Sequence, residues 1–209
     1  MKKILYLAFV AIITFTACSK KGNTPAPVAT TVVINGTTYP TVVIGSQTWT
    51  AVNYNGDGGL NYNNSATNIP ADGKLYTPAE AAAITLPSGW RLPTAADYNN
   101  LFAGLGGVQN NTSNYGVSQA IALELMSTTG WTDTNGNNKL GFNARPVGEC
   151  NTSSNLFTRA GMDAFFMIDN PSQNVYTPLS VDVSADQTEV NYFFNNSGYH
   201  ISVRFVKDN

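Results

Sequence analysis

Thr31-Val-Val-Ile-Asn-Gly-Thr-Thr-Tyr-Pro-Thr-Val-Val-Ile-Gly-Ser-Gln-Thr-Trp-Thr-Ala-Val52 decides the fold class. Thr-Val-Val-Ile stands at 31–34 and again at 41–44. Short β-branched runs of this kind suit a pleated, half-buried surface. Asn35-Gly36 after the first run is the strongest short hairpin signal, and Gly45-Ser46 after the second supplies another turn. The stretch reads as a three-stranded antiparallel meander. Nothing like it recurs later, so it is not one unit of a repeat array.

Working outward, residues 53–73 are dense in Asn and Gly without a period and read as a long surface loop. Pro78-Ala-Glu-Ala-Ala-Ala83 predicts a short helix over 78–84 with proline at its start. Thr94 is placed to N-cap a second helix that buries Tyr98, Leu101, Phe102 and Leu105 and ends at Gly106-Gly107. A third helix is expected over 117–126, burying Ala122, Ile121 and Leu125, and a polar loop over 127–141. Strands are predicted over 164–168, 175–183, 189–194 and 199–206. The last alternates, with Tyr199, Ile201, Val203 and Phe205 on one face and His200, Ser202 and Arg204 on the other. Strands at both ends with two or three short helices between them argue an α+β domain whose terminal strands share an antiparallel sheet.

Composition narrows the function classes. The chain has 209 residues, 43% of them apolar and only 11% charged, about half the usual soluble value of roughly 25%. A net charge of -2 provides no basic field to hold nucleic acid. One histidine and two cysteines exclude most histidine-based metal sites and any disulfide-dense scaffold. About 180 residues beyond position 31 are enough for one sizeable core.

The amino terminus carries an address. Met1-Lys2-Lys3 precedes an uncharged apolar run over 4–19, shorter than the roughly 20 residues that span a bilayer but right for a secretory signal. Its end, Phe15-Thr16-Ala17-Cys18, resembles the bacterial lipoprotein signal. That resemblance implies a signal peptide over 1–17, a lipidated Cys18 opening a flexible tether over 18–31, and a single domain over 32–209. Membrane lipid attached through Cys18 is then the anchor, with more than one acyl chain. Ser19 is not an inner-membrane retention aspartate, and the tether lacks an acidic export run. The expected address is the cell envelope, on the periplasmic face of the outer membrane. Acylation of Cys18 leaves Cys150 without an internal partner, so Cys150 is expected to act as a small buried hydrophobe.

Several blocks, in order, resemble one family. Ile34 to Trp49 matches its opening strand-turn-strand element, followed by Gly73-Lys-Leu-Tyr76 and Pro87-Ser-Gly-Trp-Arg-Leu-Pro-Thr94. Trp131, Gly141-Phe142 and Ala144-Arg-Pro-Val-Gly148 match a later block, and Ser202-Val-Arg-Phe-Val-Lys-Asp208 the ending. The chain from about Val32 to Asp208 resembles the Fibrobacter succinogenes major paralogous domain, common in lipoproteins of Bacteroidetes and Fibrobacteres. The resemblance implies a C-type-lectin-like fold, no established catalytic activity, and envelope roles that include adhesion and polysaccharide contact. Family members often carry a cysteine before Pro-x-Gly-Trp and another in the final Ser-Val-Arg-Cys. Leu86 and Phe205 stand there instead, as apolar packing replacing a disulfide would look.

Candidate site residues follow from these two readings. Trp49, Trp90, Arg91, Pro93, Trp131, Phe142 and Arg204 lie inside the family blocks and are expected to be structural. Tyr54, Tyr62 and Tyr115 lie in Asn-rich stretches and are the candidate ligand contacts, because binding usually lives on loops. Arg91, Arg145 and Arg204 could form a shared anion site, with separate structural roles the preferred reading. Asp133-Thr-Asn135-Gly-Asn137-Asn138 alternates oxygen ligands, but its glycine is at the wrong position for a calcium loop and Ala144 stands where the closing Glu belongs. No cofactor, metal or catalytic residue is nominated. His200 would have to serve any triad, and the carboxylates are scattered. The expected function is a non-enzymatic binding or adhesion module, with glycan as ligand. A structural subunit of an envelope protein complex is the alternative, and a glycoside hydrolase the remote one.

Overall fold

The computed structural model describes residues 30–66, 70–106, 108–110, 114–169, 179–183, 188–189 and 198–209. The expected signal peptide, Cys18 and nearly all of the tether lie outside the described residues, as do most of the strands expected over 175–183 and 189–194. Three strands open the domain: β1 (Thr30–Ile34), β2 (Thr37–Ile44) and β3 (Gln47–Thr50). A short β4 (Leu75–Tyr76), helices α1 (Pro78–Ala82) and α2 (Ala95–Gly104), the hairpin β5 (Val108–Asn110) and β6 (Asn114–Val117), and helix α3 (Gln119–Leu125) follow. The carboxyl half supplies β7 (Glu149–Asn151), β8 (Leu156–Thr158), β9 (Ala164–Ile168), β10 (Leu179–Val183), β11 (Thr188–Glu189), β12 (Tyr199–Ser202) and β13 (Val206–Asp208).

The meander forms as its sequence requires. Asn35 at φ 47 and Gly36 at φ 79 give the pair of left-handed residues that a two-residue hairpin turn needs. β13 pairs antiparallel with β3, Val206 opposite Trp49, so the sheet order is β1-β2-β3-β13 and the first and last strands share one sheet. The second sheet runs β5-β6-β11-β10-β9-β12-β7-β8, with β4 alongside β12. Nearly all pairs are antiparallel, β12 against β9 being parallel. One antiparallel sheet, one mixed sheet and three short α-helices among the described residues make an α+β domain.

Two large hydrophobic clusters hold the sheets, and a small third one gathers Leu75, Val147 and Cys150 with Tyr62 and Phe157 against it. Trp49, Tyr98, Phe102, Leu125, Phe142, Phe166 and Val206 belong to the first. Tyr39, Tyr54, Tyr76, Phe165, Ile201, Val203 and Phe205 belong to the second. β9 serves both, Phe166 and Ile168 entering one cluster and Phe165 and Met167 the other. That is why its sequence is a continuous apolar run rather than an alternating one. β2 changes sides along its length: Tyr39 enters the second cluster, Val42 and Ile44 the first. Phe205 lies in the second cluster and Leu86 packs against it, so the two apolar side chains share one core.

The terminal strand corrects the sequence reading. Instead of one strand over 199–206, β12 ends at Ser202 and β13 begins at Val206 in the other sheet. Ser202 and Arg204, assigned by alternation to a polar face, are 1% and 0% exposed. β12 lies inside the second sheet between β9 on one edge and β7 and β4 on the other. Ile201 packs into the second cluster on one face, and on the other the Ser202 hydroxyl accepts from the buried Asn53 Nδ2 at 3.2 Å, so neither face looks wholly to water. Alternation predicts sidedness only for a strand with one solvated face.

Helix starts follow the capping rules. Thr77 and Glu80 form a capping box at α1, and Thr94 and Asp97 form one at α2. α3 begins two residues after the expected start, because 114–117 is strand and Ser118 takes the extended N-cap position. Asp97 does more than cap. Its carboxylate also accepts from Gln47 Nε2 at 2.6 Å and from Arg91 Nη2 at 2.8 Å. Arg91 exchanges backbone hydrogen bonds with Val206 at 3.0 Å each way, and its guanidinium reaches Asp208 at 3.1 Å. The carbonyl of Pro93 accepts from the amide of Asp169 at 2.7 Å. The Trp-Arg-Leu-Pro-Thr block thus ties α2 to the end of the chain and to the exit of β9.

Burial alone would raise the Asp97 pKa, but Arg91, Thr94 and Gln47 overcome it and bring the group to about 2. A carboxylate depressed in the folded state contributes stability that is present above its unfolded pKa of about 3.9 and lost as pH falls towards 2, a contribution of about 2 kcal/mol. Asp97→Asn is expected to lower urea-unfolding stability at pH 7 by about that amount and to flatten the loss of stability between pH 4 and 2. Parallel pH profiles for the two proteins would contradict it.

Candidate ligand-binding cleft

A cleft of about 430 Å³ opens beside the second sheet, within the range of roughly 300–1,000 Å³ typical of small-ligand sites. One wall comes from the segment after β3, with Tyr62 at the edge and Asp72-Gly73 at the base. The opposite wall comes from Gly130 and from Arg145-Pro146-Val147. Arg145 and Asp72 join the walls: Arg145 donates to Asp72 Oδ1 through Nε at 2.7 Å and lies 2.6 Å from it at Nη2. Nη1 donates to the Thr129 carbonyl at 3.1 Å and to its hydroxyl at 2.9 Å. Among the described lining residues these are the two charged groups, so the cleft is formally neutral.

Local backbone explains the base. Gly73 has φ +72, and a Cβ there would come within 2.5 Å of the Asn53 Cβ and 2.8 Å of the Tyr54 carbonyl. Only glycine lets the chain pass so close, and it brings the Asp72 carbonyl onto Asn53 Nδ2 at 2.8 Å. Asn53 is fully buried and accepts from Arg204 Nε at 2.6 Å. Arg204 continues to Thr50 O at 2.7 Å, Phe142 O at 2.8 Å and Asn143 O at 2.9 Å, with its guanidinium 4.9 Å above the Phe142 ring centroid. Asn143 stands two residues before Arg145, so both walls hang from one buried group.

The three candidate tyrosines separate. Tyr62 lines the cleft half-buried, with its ring centroid 5.3 Å from that of Phe157 at 73°. Tyr54, expected to be an exposed contact, is 1% exposed and packed among Tyr39, Tyr76 and Phe205; this corrects the reading of its Asn-rich loop as surface throughout. Its hydroxyl accepts from Asn35 Nδ2 at 3.2 Å, which pins the loop back onto the first hairpin. Tyr115 is on β6, and its side chain lies outside the described residues. Trp49 and Trp131 are buried in the first cluster and Trp90 packs half-buried against the second.

Other candidates have structural occupations. Arg91, Arg145 and Arg204 each hold a separate set of partners and form no common anion site. The oxygens of the 133–138 loop turn onto their own backbone: Asn135 accepts from the Trp131 amide, Asn137 from Lys139 and Asn138 from Asn143. Cys150 is fully buried, and burial raises its thiol pKa. His200 Nδ1 is 3.3 Å from the Thr152 hydroxyl, but Nε2 is 3.8 Å from Glu80 Oε2, beyond a hydrogen bond. That Glu80 oxygen already accepts from the Thr77 amide and hydroxyl in the capping box. Burial lowers the His200 pKa against the pull of Glu80. Thr152, His200 and Glu80 do not line the cleft.

Asp72 and Thr129 went unnoticed in the sequence. The one available signal for Asp72 was its place just before the Gly73-Lys-Leu-Tyr76 block. For Thr129, 16 residues before its partner Arg145, there was none.

Comparison with curated proteins and with solved structures returned no match. The family comparison did: residues 42–207 match the model of the Fibrobacter succinogenes major domain, from the end of β2 through β3, the Trp-Arg-Leu-Pro-Thr block and both walls of the cleft into the closing strand. The chain belongs to the Fibrobacter succinogenes major domain family.

Proposed function

We propose that the protein is an envelope lipoprotein, anchored by lipid on Cys18 at the periplasmic face of the outer membrane, and that its C-type-lectin-like domain is a non-enzymatic binding module for glycan. The observation that carries the binding part is the cleft itself. It combines an aromatic ring at its edge, Tyr62, with a rigidly held donor and acceptor pair, Arg145 and Asp72. A pyranose offers an apolar C–H face and a ring of hydroxyls, which match an aromatic surface and fixed polar groups respectively. Asn63 and Ser65 add hydrogen-bonding side chains at the rim. The lectin-like part is supported by the sharing of one sheet between the first and last strands.

The anchoring part rests on the amino-terminal sequence. No helix among the described residues is long and apolar enough to cross a membrane. The hydrolase reading would need two converging carboxylates in the cleft, and Asp72 is the one carboxylate among its described lining residues, already paired to Arg145. The assembly reading would need a contiguous apolar patch. Val33 and Val43 are the exposed large apolar residues of the first sheet, and their registers put them on opposite faces of it.

Two experiments test the proposal. Cys18→Ala is expected to move the protein from the membrane fraction to the soluble fraction and to abolish incorporation of labelled palmitate; unchanged fractionation would refute the anchor. On a glycan array, the folded protein is expected to bind saturably, and Tyr62→Ala and Arg145→Ala each to weaken that binding at least about tenfold, or 1.4 kcal/mol. A blank array from folded protein, or binding indifferent to both substitutions, would refute the cleft as a glycan site.

A further inference from the structure

The charge arrangement in the cleft goes further than the presence of a glycan site, and rests on that reading. We infer that the cleft selects uncharged saccharides over acidic ones, and that Asp72 is the residue that determines this specificity. An arginine in a ligand cleft ordinarily invites a carboxylate, because its fork offers two parallel N–H donors. Here the fork is already taken. Nε and Nη2 both address Asp72 Oδ1, at 2.7 and 2.6 Å, and Nη1 is divided between the Thr129 carbonyl and hydroxyl.

The pair cannot easily give way. Arg145 and Asp72 keep 17% and 23% of their side-chain surface exposed, so each is largely removed from water. The Asp72 backbone is held by Asn53 Nδ2 at 2.8 Å, and Gly73 fixes its approach to the residues after β3. A uronate, sulfate or phosphate entering the cleft would have to displace Asp72 from Arg145 or sit beside it. Displacement leaves a half-buried carboxylate without its partner, and sitting beside it brings two anions into contact. A neutral hydroxyl meets neither obstacle. It donates to the carboxylate and accepts from the second N–H of Nη2, which the contacts with Asp72 and Thr129 leave over, without separating the pair.

Removing the internal counter-ion should therefore release the fork. In Asp72→Asn the side chain keeps its shape and loses its charge, and Arg145 becomes an unpaired cation facing the cleft. The substitution converts a neutral site into an anion site in place, with Tyr62 still at the edge.

Isothermal titration of the full chain in detergent micelles, against cellotetraose, maltotetraose and xylotetraose on one side and tetragalacturonate on the other, reads the selectivity directly. Wild type is expected to bind a neutral tetrasaccharide at least tenfold more tightly than tetragalacturonate, with an affinity changing less than twofold between 50 and 500 mM NaCl. Asp72→Asn is expected to raise tetragalacturonate affinity at least tenfold, with strong salt dependence, and Arg145→Gln added to it to remove the gain. The wild-type ratio and salt response decide the matter even where the variants fold poorly. Tighter binding of tetragalacturonate by wild type, or a ratio that folded Asp72→Asn leaves unmoved, overturns the inference while leaving glycan binding intact. Folded wild type that binds no saccharide of either kind overturns both.

Discussion

The guanidinium of Arg204 sits where the chain leaves the second sheet for the first, between the end of β12 and the start of β13. It is fully buried, and its hydrogen bonds end on two separate segments: Thr50 and Asn53 at and just beyond the end of β3, and Phe142-Asn143. The rings of Phe142 and Phe166 lie 4.9 and 5.3 Å from its central carbon. Burial pulls the group down to about 9, which leaves it charged at neutral pH. Among these partners there is no carboxylate; carbonyl dipoles, one amide oxygen and two aromatic faces stand in for a counter-ion. Such an arrangement works only while every partner stays in position, since a buried charge that loses its hydrogen bonds costs about 3–5 kcal/mol.

That requirement reaches the cleft by two short paths. Asn53 accepts from Arg204 through Oδ1 and donates through Nδ2 to the Asp72 carbonyl, which sets one wall. The Asn143 carbonyl accepts from Nη2, and Asn143 is held at φ 55 two residues before Arg145, which sets the other. Arg145 and Asp72 then close the circuit across the opening. A binding site whose polar pair is supported in this way loses little freedom when a ligand arrives, so less of the contact energy is consumed in ordering. The proposed selectivity depends on the same rigidity. A loosely held Asp72 could swing aside for an acidic ligand.

Much of the fold was legible because its signals are local. Asn35-Gly36 between two β-branched runs, Thr94 three residues before Asp97, Pro78 at a helix start and the apolar run of β9 each encode their element within a few residues. The order of the family blocks carried the family. The failures are long-range. Arg204 reads as the polar half of an alternating strand, and nothing within eight residues announces that the strand changes sheets or that carbonyls 61 to 154 positions away will enclose it. Tyr54 reads as surface because Asn and Gly surround it, yet those residues serve the tight turns that return the loop onto Tyr39 and Tyr76. Of the cleft, Tyr62 and Arg145 could be nominated from their neighbourhoods. Asp72 could not, because its meaning lies in a partner 73 residues away.

Arg204 holds both walls at once. Lysine keeps the charge but offers a single point donor in place of the fork, so Arg204→Lys breaks the circuit with the smallest change in composition. Native-state hydrogen exchange of that variant, read by mass over residues 70–75 and 141–146, is the direct measurement. Both segments are expected to lose protection together while α2 remains protected. Wild-type protection in both segments, or loss in one alone, would contradict that joint hold.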